Sequence, residues 1–210
     1  MKTILQNVCV IVLLMLIASC KKSSSQKSLK AETMLNVSYG SNSLQHMDVY
    51  LPANRNTETK VVVFVHGGSF IGGDKNDYTS VVAELVKRNF AVVNINYRLV
   101  DAAGLQTNPV LHKLSSVLVQ HQVEDVSAAI DYTIAQADEW QISKSKIAVV
   151  GHSAGATLGL LYSYGNKNTG KVKVVANLAG ALDQTFTDIP NYQLLPTQVL
   201  ELGYRYTGYE

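Results

Sequence analysis

The chain has 210 residues, 47% of them apolar and only 16% charged, and a formal net charge of +2. That is enough chain for one globular domain with a sizeable core, and the near-neutral balance gives no case for nucleic-acid binding. No repeat at a solenoid or propeller period is present, and the two cysteines, Cys9 and Cys20, leave everything after residue 20 without a disulfide or a cysteine-ligated zinc site.

The N-terminal segment reads as an export signal. Lys2 precedes a mostly apolar stretch over residues 4–17, and Ala18-Ser19-Cys20 closes it with small side chains. The stretch is shorter than the ~20 residues that a bilayer span needs. Ile17-Ala18-Ser19-Cys20 resembles a bacterial lipobox, which implies a lipoprotein-type signal peptide over 1–19 and a lipidated Cys20. The expected location is the bacterial cell envelope, lipid-anchored, with plain secretion as the alternative. Residues 21–30 are rich in Lys, Ser and Gln, so 20–35 is expected to be a flexible tether ahead of a domain over 36–210.

Within that domain, residues 37–39 and 46–51 alternate weakly around Gly40-Ser41-Asn42-Ser43, the pattern of an antiparallel hairpin. Residues 60–65 form a short, β-branched, apolar run, as expected of a strand buried on both faces of a parallel sheet. A glycine-rich loop follows, His66-Gly67-Gly68-Ser69-Phe70-Ile71-Gly72-Gly73-Asp74-Lys75, and then a helical stripe of Tyr78, Val81, Val82, Leu85 and Val86. Residues 90–95 give a second buried strand. A long connection leads to an amphipathic helix marked by Val123, Val126, Ile130, Ile134 and Ala137. Residues 147–150 are a third buried strand and 173–179 a fourth. After Asp183 the pattern fades, with a short helix expected over 197–202. The alternation predicts an α/β fold, a doubly wound, mostly parallel sheet.

The chemistry centres on Gly151-His152-Ser153-Ala154-Gly155. Gly-x-Ser-x-Gly arises by chance in roughly one chain in fifteen to twenty of this length, so its context decides. Here it ends a buried strand and opens a helix, the setting of a nucleophile elbow that exposes Ser153 Oγ above the sheet. Gly151 and Gly155 permit the tight turn. His66-Gly67-Gly68 also ends a buried strand, earlier in the chain, where an oxyanion loop is expected. The N–H groups of Gly67, Gly68 and Ala154 are the expected oxyanion donors, with Ser69 able to replace one of them; one such donor is worth about 3–4 kcal/mol. This machinery calls for no cofactor and no metal.

Other polar residues have plainer readings. His66 orders the loop rather than acting as a base, and Asp74-Lys75 reads as a surface turn. Arg98 and Asp125 either pair beneath the site or are separately solvated. His152 points away from Ser153, and His46, His112 and His121 have no motif context. Tyr204, Tyr206 and Tyr209 either line an aromatic substrate site or form a loosely packed tail, the tail being the preferred reading.

With Asp48-Val49-Tyr50-Leu51-Pro52, the His-Gly-Gly loop, Asn96-Tyr97-Arg98-Leu99 and the elbow in order, the chain resembles the esterase branch of the α/β-hydrolase superfamily. The likeness is to bifunctional feruloyl/acetyl-xylan esterases and related carboxylesterases. It implies a serine carboxylic-ester hydrolase acting through an acyl-enzyme on a small-molecule or carbohydrate ester. The alternatives are a lipid-anchored, non-catalytic binding protein and an arylformamidase- or peptidase-type hydrolase on the same scaffold. In that superfamily the order is Ser, then an acid, then His. Asp183 matches the less common acid position, and no histidine follows Ser153. The expectation is an incomplete hydrolase domain, C-terminally truncated and lacking its last strand–helix units.

Overall fold

A computed structural model describes residues 28–181 and 197–208. Cys20, with the signal segment, and Asp183 and Tyr209 lie outside the described residues. Six strands form one mixed sheet: β1 Glu32–Ser38, β2 His46–Leu51, β3 Val61–Val65, β4 Ala91–Ile95, β5 Ile147–His152 and β6 Val172–Leu178. Their spatial order is β1-β2-β4-β3-β5-β6. The β1–β2 and β2–β4 pairs are antiparallel, and β3 pairs in parallel with β4 and β5, as β5 does with β6.

The central strands follow from their composition. Every residue of β3 and β4 is buried, which only a strand covered on both faces permits. Successive side chains point to opposite faces, so Phe64 and Val92 turn toward helix α1, Thr79–Lys87, with Val82. Val63, Val65, Val93 and Val149 enter the larger core on the other face. That core is closed by α2, Val119–Trp140, and α3, Ala154–Tyr164. Helix α2 supplies Val126, Ala129, Ile130 and Ala137, all fully buried.

Register positions the site. Val65, the last residue of β3, lies opposite Gly151 of β5. The loop after β3 and the elbow after β5 therefore leave the sheet side by side at one edge.

Three regions depart from the sequence expectation. The ordered domain starts before residue 36, because buried Arg55 donates to the carbonyls of Lys30 and Trp140 and pairs with the Glu32 carboxylate at 2.9 Å. A bulge between Met34 and Val37, with Asn36 at φ 56°, explains the weak alternation of β1. At the other end, the short helix expected over 197–202 runs on as α4, Thr197–Thr207. Among the described residues β6 is a sheet edge, with Val174 60% exposed and Leu178 44%.

Candidate active site

The elbow stands where β5 passes into α3. Ser153 has φ 50° and ψ −121°, a strained conformation for a residue with a side chain, and such strain is held only where surrounding contacts over-determine it. Here the Ser153 N–H donates to the Leu178 carbonyl at 2.8 Å, and its own carbonyl accepts from the N–H groups of Ala156 and Thr157. The glycines are required by close approach. A Cβ on Gly155 would stand 2.3 Å from the carbonyl oxygens of both Val65 and His66, and one on Gly151 would stand 2.3 Å from the Gly155 carbonyl oxygen. Ala154 opens α3, and the first N–H groups of a helix have no acceptor within it.

The loop after β3 is equally constrained. Gly68, Ser69 and Phe70 all have positive φ, at 125°, 52° and 64°, and the Gly68 carbonyl accepts from the N–H groups of Ile71 and Gly72. Between loop and elbow lies a cavity of about 220 Å³ bounded by Ser69, Phe70, Ser153, Ala154 and Tyr206. This volume is below the usual range for drug-sized ligands and suits a small group. A larger groove of about 440 Å³, lined by Leu118, Val123 and Leu161 among others, shares Tyr206 with it but not Ser153.

Gly67 differs from its sequence reading. Its N–H donates to the Tyr78 hydroxyl at 3.3 Å, so it is already engaged, whereas Ser69 and Ala154 face the cavity.

The Asp74-Lys75 reading as a surface turn is corrected. Asp74 caps a short 3-10 turn, Lys75–Tyr78, and Lys75 is only 3% exposed. Its ammonium pairs with the buried Asp48 carboxylate at 2.8 Å. A lysine can be buried here because its charge is matched and its backbone is held: the N–H donates to Asn96, and the carbonyl accepts from Asn94. The open question over Arg98 is settled in favour of pairing. Its guanidinium donates through Nε and Nη2 to both oxygens of Asp125, at 2.5–2.9 Å.

All five histidines are among the described residues, and none lines the Ser153 cavity. His46 contacts the Ser43 carbonyl, His112 pairs with Glu201, and His121 accepts from the Leu118 N–H. His152 turns to the Tyr78 hydroxyl at 2.8 Å. His66 is buried, stacks on Tyr97 and hydrogen-bonds the Gly67 carbonyl at 2.7 Å, the loop-ordering place expected of it. Burial pushes its imidazole below the ordinary value of 6.5, against the pull of that carbonyl, Asp74 and Asp77.

Tyr204 and Tyr206 are not a loose tail. Tyr206 donates to the Ser69 carbonyl at 2.8 Å and meets Phe70 edge-on, forming a wall of the cavity, while Tyr204 packs on His112. Burial pushes the Tyr206 hydroxyl up to about 12, so it stays a neutral donor. Nothing in the sequence signals this wall: its helix is fastened by Arg205, fully buried, which donates to the carbonyls of Asp101, Ala103 and Leu111 and pairs with Glu201.

A family model described as BD-FAE matches residues 47–193, a span that includes the glycine-rich loop after β3 and the turn at Ser153. The chain belongs to the BD-FAE family. Its fold is the α/β-hydrolase fold of the esterases. An inhibited esterase B from Lactobacillus rhamnosis superposes with a TM-score of 0.66 over 99% of this chain and 67% of that one, at 16% identity. The bifunctional GH43-CE protein of Bacteroides eggerthii matches at a TM-score of 0.50 and 26% identity, over 61% of this chain and 17% of that one. Among curated relatives, kynurenine formamidase of Salmo salar is 23% identical over 145 residues, 69% of this chain and 43% of the relative. This BD-FAE chain thus spans less than half the length of the curated relatives it matches first.

Proposed function

We propose that the protein is a serine carboxylic-ester hydrolase with Ser153 as its nucleophile, acting on short acyl or carbohydrate-linked esters. The observation that carries this reading is the strained Ser153 backbone beside a small cavity bounded by Ser69 and Ala154. Ser153 Oγ adds to the ester carbonyl while a base takes its proton. The N–H groups of Ala154, Gly68 and Ser69 stabilise the negative charge that forms on the carbonyl oxygen, already aimed and needing no reorganisation. Collapse expels the alcohol with a proton and leaves an acyl-Ser153 ester, which water then hydrolyses. Asp183 is the acid of the reading. None of the five histidines lines the Ser153 cavity, and none is assigned as that base.

The test is turnover of p-nitrophenyl acetate by the 210-residue chain and by a C-terminally extended protein. The short chain should be slow, because losing the histidine of a serine hydrolase costs about a millionfold in turnover. The extended protein should be far faster, and Ser153→Ala should abolish the difference. Fast hydrolysis by the short chain that survives Ser153→Ala would sink the reading. The likeness to a kynurenine formamidase favours a second substrate class, formamides, and an ester-versus-formamide panel on the extended protein separates the two.

The N-terminal segment carries a companion proposal, that Cys20 is lipidated and tethers the enzyme to the bacterial envelope. Labelled palmitate should enter the expressed protein and be lost in Cys20→Ala; labelling that persists in the variant rejects it.

A further inference from the structure

The two loops that make the cavity are joined outside it by one side chain. Tyr78 ends the 3-10 turn that Asp74 caps. Its hydroxyl accepts from the Gly67 N–H at 3.3 Å and lies 2.8 Å from His152 Nδ1. Gly67 belongs to the loop after β3, and His152 immediately precedes Ser153. With Nδ1 bare, the Tyr78 O–H donates to it; with Nδ1 protonated, the Tyr78 oxygen accepts a second time, which a hydroxyl's two lone pairs allow. The bridge therefore exists in either tautomer.

The rest of the neighbourhood fixes this hydroxyl in place. The Tyr78 ring packs on Phe64 of β3, centroids 5.0 Å apart. The turn beneath it is anchored by the Lys75–Asp48 pair. Loop and elbow are already in close contact: a Cβ on Gly67 would stand 2.9 Å from His152 Nδ1 and 3.1 Å from Ser153 Cβ. Contact sets how near the loops can come. The hydroxyl resists their moving apart.

We propose that Tyr78 is a positioning residue, whose hydroxyl ties Gly67 to His152 and so sets the spacing between Ser153 and the oxyanion donors of the loop. The inference rests on the reading of Ser153 as nucleophile. It also gives the variable position of the elbow a task, that of anchor for the opposite loop. Misplacing reacting groups by about 1 Å can cost about a hundredfold in rate, so loss of one of several restraints should cost about tenfold.

The test uses Tyr78→Phe, which keeps the ring on Phe64 and removes only the hydroxyl, with His152→Leu and the double variant, all in the C-terminally extended protein. Tyr78→Phe should lower kcat about tenfold with KM nearly unchanged, and His152→Leu should do the same. The double variant should be no slower than either single one, since all three break one tie. A readout independent of turnover is hydrogen exchange at the Gly67 amide, which should quicken in Tyr78→Phe. Unchanged Gly67 exchange would show that the tie is absent, and faster exchange with unaltered kcat would show that it positions nothing; either overturns the proposal. Effects of the two substitutions that multiply in the double variant overturn it too. If Ser153→Ala retains activity, the nucleophile reading fails by itself, while Gly67 exchange still reports on the tie.

Discussion

The two walls of the Ser153 cavity are built from opposite kinds of restraint. The wall made by the loop after β3 is short-range and rooted in the sheet: it continues a central strand, and buried Lys75 and Asn96 fasten it to β2 and β4. The wall made by Tyr206 is long-range. Helix α4 reaches the cavity through Arg205, whose partners at Asp101, Ala103 and Leu111 lie about a hundred residues earlier in the chain. On these attachments the first wall should move only together with the central strands, whereas the second should detach and leave the sheet whole.

Breaking each anchor tests that contrast. Lys75→Ala should have the largest effect. It leaves the Asp48 carboxylate buried and unpaired, and loss of one partner of a buried pair destabilises by about 3–5 kcal/mol. Chemical denaturation should show the loss across the whole domain. A double replacement, Lys75→Met with Asp48→Leu, should recover most of it, because well-packed apolar residues often replace a buried pair at little cost. A local effect of Lys75→Ala, confined to the loop, would contradict a wall rooted in the sheet.

Arg205→Ala should act more narrowly. It leaves three carbonyls without their donor and the Glu201 carboxylate with only His112 and the Lys113 N–H, but these groups belong to α4 and the loop over 101–113. Hydrogen exchange should rise across α4 while β3, β4 and β5 keep their protection, the pattern of local rather than global opening. Loss of protection in the central strands would mean that α4 is part of the core and that the two walls are not separable.

The same contrast decides what could be read from the sequence. Strands β3 and β4 were legible because burial on both faces leaves little but apolar and β-branched residues, and β5, buried on one face and half-buried on the other, shares that composition. The elbow was legible because a turn this close to Val65 and His66 admits only glycine at 155. Lys75 was misread because a lysine in a glycine-rich polar loop gives no sign of a partner 27 residues earlier at Asp48. Nothing local to Gly67, read as an oxyanion donor, reveals that the Tyr78 hydroxyl accepts from its N–H. Tyr206 was assigned to the tail rather than to a cavity wall for a more general reason. Arg205 is held largely by backbone carbonyls, which every residue possesses, so the docking of α4 leaves no motif.

Acid provides the gentlest way to separate the walls, since His66 in one and Glu201 in the other respond over different pH ranges. Burial lowers the His66 imidazole below 6.5. The unfolded chain therefore binds the proton first, and the stability of the neutral, stacked imidazole is full above pH 6.5 and falls as pH drops toward the lowered value. In the other wall, burial opposes the charge of Glu201, but hydrogen bonds from Arg205, the Lys113 N–H and His112 outweigh it and draw its pKa below 4.5. The stability it contributes is present above pH 4.5 and is lost only as pH falls further. Between these windows, near pH 5.5, amides of the loop over 67–73 should exchange faster than at pH 7 after correction for the intrinsic pH dependence. Those of α4 should be unchanged until the pH falls below 4.5. Simultaneous loosening of both walls at pH 5.5 would show that the loop and α4 move as one body, and the division between a fixed wall and a detachable one would fall.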